Sequence, residues 1–230
     1  MKKNILLIGG SHGIGLSMVK KLHEDQNVFI ASRTKEGLED LDITHIQYDA
    51  TSDALDTDGL PDQLHGFAYL PGSINLKPFK MMSMDTFEED MQLNFFSMVR
   101  MVKDIIPKME ENSSMVFFST VAVGTGMPYH TSVAAAKGAI EGFARSLAAE
   151  YAPKIRVNVI APSLVDTPLA VRLLNNDKKR EMMSERHPLK RVGNAEDIAN
   201  AAIFLLTEKS SWITGQVLGV DGGIGSLNVS

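Results

Sequence analysis

The sequence predicts a doubly wound α/β fold: a parallel sheet of seven strands with helices on both faces, in a single domain. Three observations predict it. Short β-rich runs alternate with helical patterns along the whole chain, and that order builds a parallel sheet through right-handed crossovers. Several of the strand runs are nearly continuous apolar stretches, as expected of strands covered on both faces. A glycine-rich turn follows the first strand directly.

In chain order, the strand runs are "NILLIG" (4–9), "NVFIAS" (27–32), "HIQYDA" (45–50), "GFAYLPG" (66–72), "SMVFFST" (114–120), "RVNVIAP" (156–162) and "GQVLGVD" (215–221). Helical patterns fall between them at 13–24, 87–109, 132–150 and 195–208. In such a sheet, functional groups collect beyond the carboxyl ends of the strands.

Length and composition limit what this fold does. A chain of 230 residues buries a full core in one domain, and 44% apolar with 22% charged residues is an ordinary globular balance. No apolar run reaches the ~18–20 residues that span a bilayer. The run after Lys2 and Lys3 is too short for a secretory signal. With no cysteine there is no disulfide and no thiolate metal site, which fits a cytoplasmic protein. Six histidines without a shared short spacing suggest no metal site. A net charge of −5 without a basic cluster argues against nucleic acid as a partner.

The turn "GGSHGIG" places Gly9, Gly13 and Gly15 between the first strand and the first helix. Glycine allows the tight turn and a close approach of backbone to a pyrophosphate. The helix that starts there offers free N–H groups and a positive dipole end. A dinucleotide is the expected ligand, held by Gly9, Ser11, His12, Gly13, Ile14 and Gly15. At the end of the second strand, where an acid would accept a ribose 2′-hydroxyl, Ser32 and Arg33 stand instead. A guanidinium and a hydroxyl suit a 2′-phosphate. NADP(H) is therefore favoured, with NAD(H) as the alternative.

From these residues the chain resembles the short-chain dehydrogenase/reductase family, a Rossmann-type fold, over essentially its whole length. The matching pieces are the glycine turn, "DAT" at 49–51, Asn94 in "EEDMQLNFFSMV", "FFST" at 117–120 and "AAAKGAIEGFARSLAAE" at 134–150. They continue with "IRVNVIAPSLVDTPL" at 155–169, "RVGNAEDIANAAIFLL" at 191–206 and "ITGQVLGVDGG" at 213–223. The resemblance implies that Asp49 touches the adenine. It also implies that Gly72, Pro162, Val165, Thr167 and Lys137 hold the nicotinamide end. Lys137 then binds the ribose, Asn94 holds a relay water, and Thr120 supplies the hydroxyl usually given by serine.

The family's tyrosine, four residues before the lysine, falls on Val133, which has no proton to give. At ~100° per residue, position −4 from Lys137 lies ~40° away on a helix. His130, at −7, lies ~20° away, and Tyr129, at −8, ~80° away. His130, Tyr129 or a bound water is thus the candidate substitute, and Thr131 or Ser132 is the expected N-cap. "YLPG" at 69–72 also departs from the family: Tyr69 and Leu70 are expected to leave a strand-bridging network unmade, and Pro71 removes an amide donor. A substrate lid is expected at about 164–191, rich in leucine and methionine and so suited to a small, partly apolar molecule. The small residues of helix 132–150 allow close helix pairing, and the resemblance implies a homo-oligomer, tetramer or dimer. Two functions are consistent with this sequence. One is an oxidoreductase moving a hydride to a carbonyl or conjugated double bond. The other is a dinucleotide-binding protein without turnover.

Overall fold

The computed structural model describes residues 2–52 and 54–228. Its main sheet has seven parallel strands. They are β1 (Asn4–Ile8), β2 (Asn27–Ser32), β3 (Thr44–Gln47), β4 (Leu64–Tyr69), β5 (Met109–Phe118), β6 (Ile155–Pro162) and, after two short strands, β9 (Val217–Val220). Their spatial order is β3-β2-β1-β4-β5-β6-β9. The chain therefore reverses its winding between β1 and β4, and ligands of such sheets bind at that switch point.

Alternation along the strands explains why both faces are covered. Leu6, Ile8, Phe67, Tyr69, Met115, Phe117, Val157 and Val159 point to one side, where they pack with α3 (Ser97–Ile105) and α5 (Thr131–Tyr151). Ile5, Leu7, Ala68, Val116, Phe118 and Ile160 point to the other side, against α1 (Gly13–Leu22) and α7 (Ala195–Leu206). The winding is double, as the sequence predicts.

Three local features differ from expectation. The helical pattern at 87–109 is α2 (Met84–Met91), a π-helical stretch at Gln92–Phe96, and α3, which ends at Ile105 before a short turn containing Pro107. β5 starts at Met109 rather than 114. α5 begins at Thr131 with His130 as its N-cap, and the His130 side chain caps no amide of the helix.

The expected lid segment contains α6 (Asp177–Glu185) and is closed at its base by two short parallel strands, β7 (Val165–Asp166) and β8 (Gly193–Asn194). Asn176 caps α6 through the Lys179 amide, and Arg180 reaches Asp166 at 2.6 Å. One helical turn, α4 (Val121–Thr125), follows β5.

Candidate active site

The glycine turn folds as it does because its backbone leaves no room for a side chain. A Cβ on Gly15 would stand 2.1 Å from the Gly9 carbonyl oxygen. Gly13 has φ +51, and a Cβ there would meet Thr167 at 3.3 Å. These bare positions form a cradle at the start of α1, where N–H groups and the helix dipole favour an anion. The residues therefore fit the pyrophosphate of a dinucleotide.

From this turn a cleft of about 350 Å³ runs along the carboxyl ends of β4, β5 and β6. His12, Gly13, Ile14, Gly15, Gly72, Thr120, His130, Val133, Lys137, Pro162, Val165 and Thr167 all line it. Residues dispersed over 156 positions of sequence are thus brought to one concave surface.

At the far end, α5 delivers Lys137, which is only 8% exposed. No hydrogen bond to its Nζ forms among the described residues. Asn94 sits in the π-helical stretch and is fully buried. Its Nδ2 donates to Ser73 Oγ and to the Asp90 carbonyl, both at 2.8 Å, while its Oδ1 has no partner among the described residues. A Cβ on Gly72 would lie 3.2 Å from Asn94 Oδ1 and 3.3 Å from Lys137 Nζ. Both polar atoms therefore converge on bare backbone, a cradle suited to a ribose and a relay water.

Behind them lies a carboxylate that sequence reasoning missed. Asp90 is buried and accepts from Ser73, from Asn75 at 2.8 Å and from Ser132 at 2.6 Å. It stands one turn before Asn94, and that i, i+4 spacing was a usable signal. Burial pushes the Lys137 ammonium down to about 8, although the Asp90 charge partly supports it.

This shift predicts how stability depends on pH. Lys137 titrates near 10.5 in the unfolded chain and near 8 in the folded one. Between these values the unfolded chain binds more protons, so stability rises with pH. Charge burial costs about 3 kcal/mol below pH 8, and the cost is relieved by pH 10.5. Urea unfolding of the unliganded protein at pH 7.5 and pH 10 will show this rise. Lys137→Met will abolish its Lys137 share.

Thr120 caps α4: its Oγ1 accepts the Ala122 amide at 3.3 Å, which leaves its hydroxyl proton to face the cleft. Val133 is buried one turn before Lys137, so the wall is apolar where the family has its acid. His130 lines the cleft, and its Nδ1 donates to the Pro128 carbonyl at 2.7 Å, leaving Nε2 as an acceptor. Tyr129 is separated from the group. It is 57% exposed, lies before the first residue of α5, and has φ +70. The helical angles drawn for it and for His130, the N-cap with φ −100 and ψ 9, therefore do not apply.

Near the carboxyl end of β2, Ser11 Oγ lies 3.0 Å from His12 Nδ1, and His12 Nε2 lies 3.5 Å from the Glu36 carboxylate. Ser32 is turned inward: its hydroxyl donates to the Thr34 carbonyl at 2.7 Å and accepts from His45 Nε2 at 3.0 Å. Arg33 is exposed at the strand end, with its carbonyl held by Gln47 at 2.7 Å. Of the expected pair, the guanidinium faces outward and the hydroxyl does not. Asp49 accepts from the Thr51 amide at 2.9 Å and hydroxyl at 2.7 Å. These bonds hold its carboxyl below the usual range.

Tyr69 does not leave its surroundings untied. Its hydroxyl donates to the Leu93 carbonyl at 2.8 Å, fastening β4 to the π-helical stretch, and burial pushes its pKa up. A second pair, Ser163 and His187, also faces the cleft. These two are 24 positions apart, and no sequence spacing pointed to them.

The chain is similar to known proteins along most of its length. A family model described as enoyl-(acyl carrier protein) reductase matches residues 9–225. The 3-oxoacyl-[acyl-carrier-protein] reductase of Chlamydia muridarum is 32% identical over 97% of this chain and 98% of its own. The corresponding reductase of Thermotoga maritima is 36% identical over 60% of this chain and 58% of its own. Among solved structures, a short chain dehydrogenase family protein from Francisella tularensis superposes with a TM-score of 0.91 at 25% identity, covering 99% of this chain and 100% of that one. A structure described as ElxO with NADP bound gives 0.84 at 25% identity, with 99% and 100% covered.

Proposed function

This chain belongs to the short-chain dehydrogenase/reductase family, and on that premise we propose that it is an NADP(H)-dependent oxidoreductase acting on a carbonyl or conjugated double bond of a small, partly apolar substrate. One observation carries this reading. A single cleft joins a phosphate cradle at Gly13–Gly15 to Lys137 and Thr120, while Lys137 Nζ and the unpartnered Asn94 Oδ1 converge at Gly72.

The bound dinucleotide supplies the hydride. Ser11, His12 and the turn amides hold its pyrophosphate, Asp49 its adenine, and Arg33 its 2′-phosphate. Lys137 binds the nicotinamide ribose, with Pro162, Val165 and Thr167 along the ring. Thr120 donates to the substrate oxygen, and Asn94 Oδ1 accepts from a relay water. Val133 carries no proton, so the acid is another group of the cleft. Beyond the glycine turn two imidazoles line it, His130 and His187.

The segment 164–191 is the substrate lid, hinged at the β7–β8 ladder. No helix among the described residues is long and apolar enough to cross a membrane, and we place the protein in the cytoplasm. A Cβ on Gly142 of α5 would meet nothing within 4 Å. That open, small-residue face suits a second copy of the chain in a dimer or tetramer.

Arg33→Ala is expected to lower the affinity ratio of NADPH over NADH about tenfold, as the loss of a charged hydrogen bond implies. Fluorescence titration with both coenzymes checks this, and an unchanged ratio removes Arg33 from the 2′-phosphate.

The function itself is tested by turnover of ketones, aldehydes and enoyl thioesters, with relatives named for 3-oxoacyl and enoyl groups setting the panel. Turnover by the native chain that collapses in Lys137→Ala supports the oxidoreductase. Coenzyme binding without turnover, and activity that first arises in Val133→Tyr, overturns it in favour of a non-catalytic binder.

A further inference from the structure

We infer that the proton Val133 cannot give passes through the Ser163–His187 pair, with the Ser163 hydroxyl touching the reacting oxygen and His187 acting behind it. The inference rests on the oxidoreductase reading above.

The geometry fixes the direction of every proton in the pair. His187 is 4% exposed. Its Nδ1 lies 2.8 Å from the Met183 carbonyl, which only accepts, so Nδ1 carries a proton and donates it. Nε2 of the neutral ring is therefore an acceptor, and Ser163 Oγ donates to it at 2.9 Å. The ring is held in place from two sides: Met183 belongs to α6, and Gly222, whose added Cβ would stand 3.5 Å from Cδ2, closes the other flank. Ser163 directly follows β6 and lies in the same cleft wall as Pro162, Val165 and Thr167.

A hydroxyl whose single hydrogen is committed to Nε2 offers only lone pairs to the cleft. It accepts from an alcohol. Once His187 is protonated, Nε2–H donates to Oγ and the serine hydrogen turns to the cleft, where it donates to a carbonyl. The pair therefore matches both ends of a carbonyl–alcohol couple.

In the reducing direction a hydride adds to the carbonyl carbon and the π pair moves to oxygen. That oxygen takes the Ser163 proton while Oγ takes the Nε2 proton of His187. One hydride from the reduced dinucleotide and one proton from the imidazolium are consumed. The products are an alcohol, the oxidised dinucleotide and a neutral imidazole. Oxidation runs the same transfers backwards.

His130 lacks such a partner: its Nδ1 bonds the Pro128 carbonyl, and among the described residues no hydroxyl bonds its Nε2. The charged groups around His187 are Arg186 and the Glu185–Lys190 pair on its own segment, and Asp221 in the turn packed on its ring. The Asp221 oxygens accept the Gly223 and Gly225 amides. Lys137 lines the same cleft.

Two variants test the relay. Ser163→Ala keeps the imidazole and its Met183 bond, so it tests the hydroxyl without unpacking the core. It is expected to lower kcat about 10²-fold, within the range of general acid catalysis. The neutral-range limb of the kcat/KM–pH profile should also be lost, and the affinity for NADPH should stay unchanged. His187→Gln is expected to lose the same limb, while His130→Gln retains it.

A second readout needs no turnover. Nitrogen-15 NMR of the unliganded protein should show His187 Nε2 as a hydrogen-bond acceptor, and its nitrogen chemical shift should move in Ser163→Ala. Turnover by Ser163→Ala with the native rate and pH profile, or an unmoved His187 Nε2 shift, overturns the relay alone. Absence of turnover in the native chain overturns the oxidoreductase reading, and the relay with it.

Discussion

Replacing Lys137 with alanine is expected to lower kcat/KM about 10²–10³-fold, the scale on which loss of one preorganised donor is felt. The ammonium is poised for this role. It is buried without a hydrogen bond among the described residues, so on the proposed reading a ribose hydroxyl at Gly72 would give it a partner. An unpaired buried cation is costly, and ligand binding offsets that cost. The same variant is expected to unfold no earlier than the native chain at pH 7, because the buried charge has gone while Asp90 keeps the Ser73, Asn75 and Ser132 donors. Lost activity with retained stability separates a functional lysine from a structural one. Coupled measurement of kcat/KM and urea midpoint decides between them. A variant that loses stability in proportion to activity would assign Lys137 to the fold.

Gly15→Ala is expected to weaken dinucleotide binding about 10²-fold, close to 2.7 kcal/mol. One methyl group is sufficient because its carbon would lie 2.1 Å from the Gly9 carbonyl oxygen and 3.0 Å from Gly10 Cα. Both are backbone atoms at the end of a central strand, so neither moves aside as a flexible side chain would. The turn has to open, and the amides at the start of α1 lose their common aim. Overpacking of this kind also costs about 1–3 kcal/mol of stability. Calorimetric titration with NADPH, beside a thermal melt of the same sample, measures both losses. Native affinity in Gly15→Ala would show that the turn does not hold the phosphates.

The strands were legible because burial on both sheet faces writes itself into sequence as apolar runs. β1, β4 and the second half of β5 are of this kind. The first half of β5 was not legible. Its "MEENS" carries Glu110 and Glu111 and reads as a loop, since part of it is solvated. α6 was missed for a related reason: it buries no residue completely and has no apolar period, and it is held instead by the Asn176 cap and the Arg180–Asp166 pair. In the π-helical stretch bearing Asn94, the Leu93 carbonyl is met by a donor from another element, Tyr69. Neighbouring residues in sequence cannot announce that.

In the site, the glycine turn, Thr120, Val133 and Lys137 were legible from motif spacing, and the structure lines one cleft with them and with His130. Tyr129 misled because its angle was drawn on a helix that starts two residues later, at Thr131. Ser32 misled because alternation along β2 turns its hydroxyl toward His45. Ser163 and His187 could not be paired by any local rule, because the fold of segment 164–191 alone joins them.

Every role proposed above requires that the cleft from Gly13 to Lys137 hold a dinucleotide. Isothermal titration of the purified chain with NADPH and with NADH tests this directly. Saturable one-to-one heat for both, tighter for NADPH, is the predicted result. No heat from either coenzyme at millimolar concentration would contradict it.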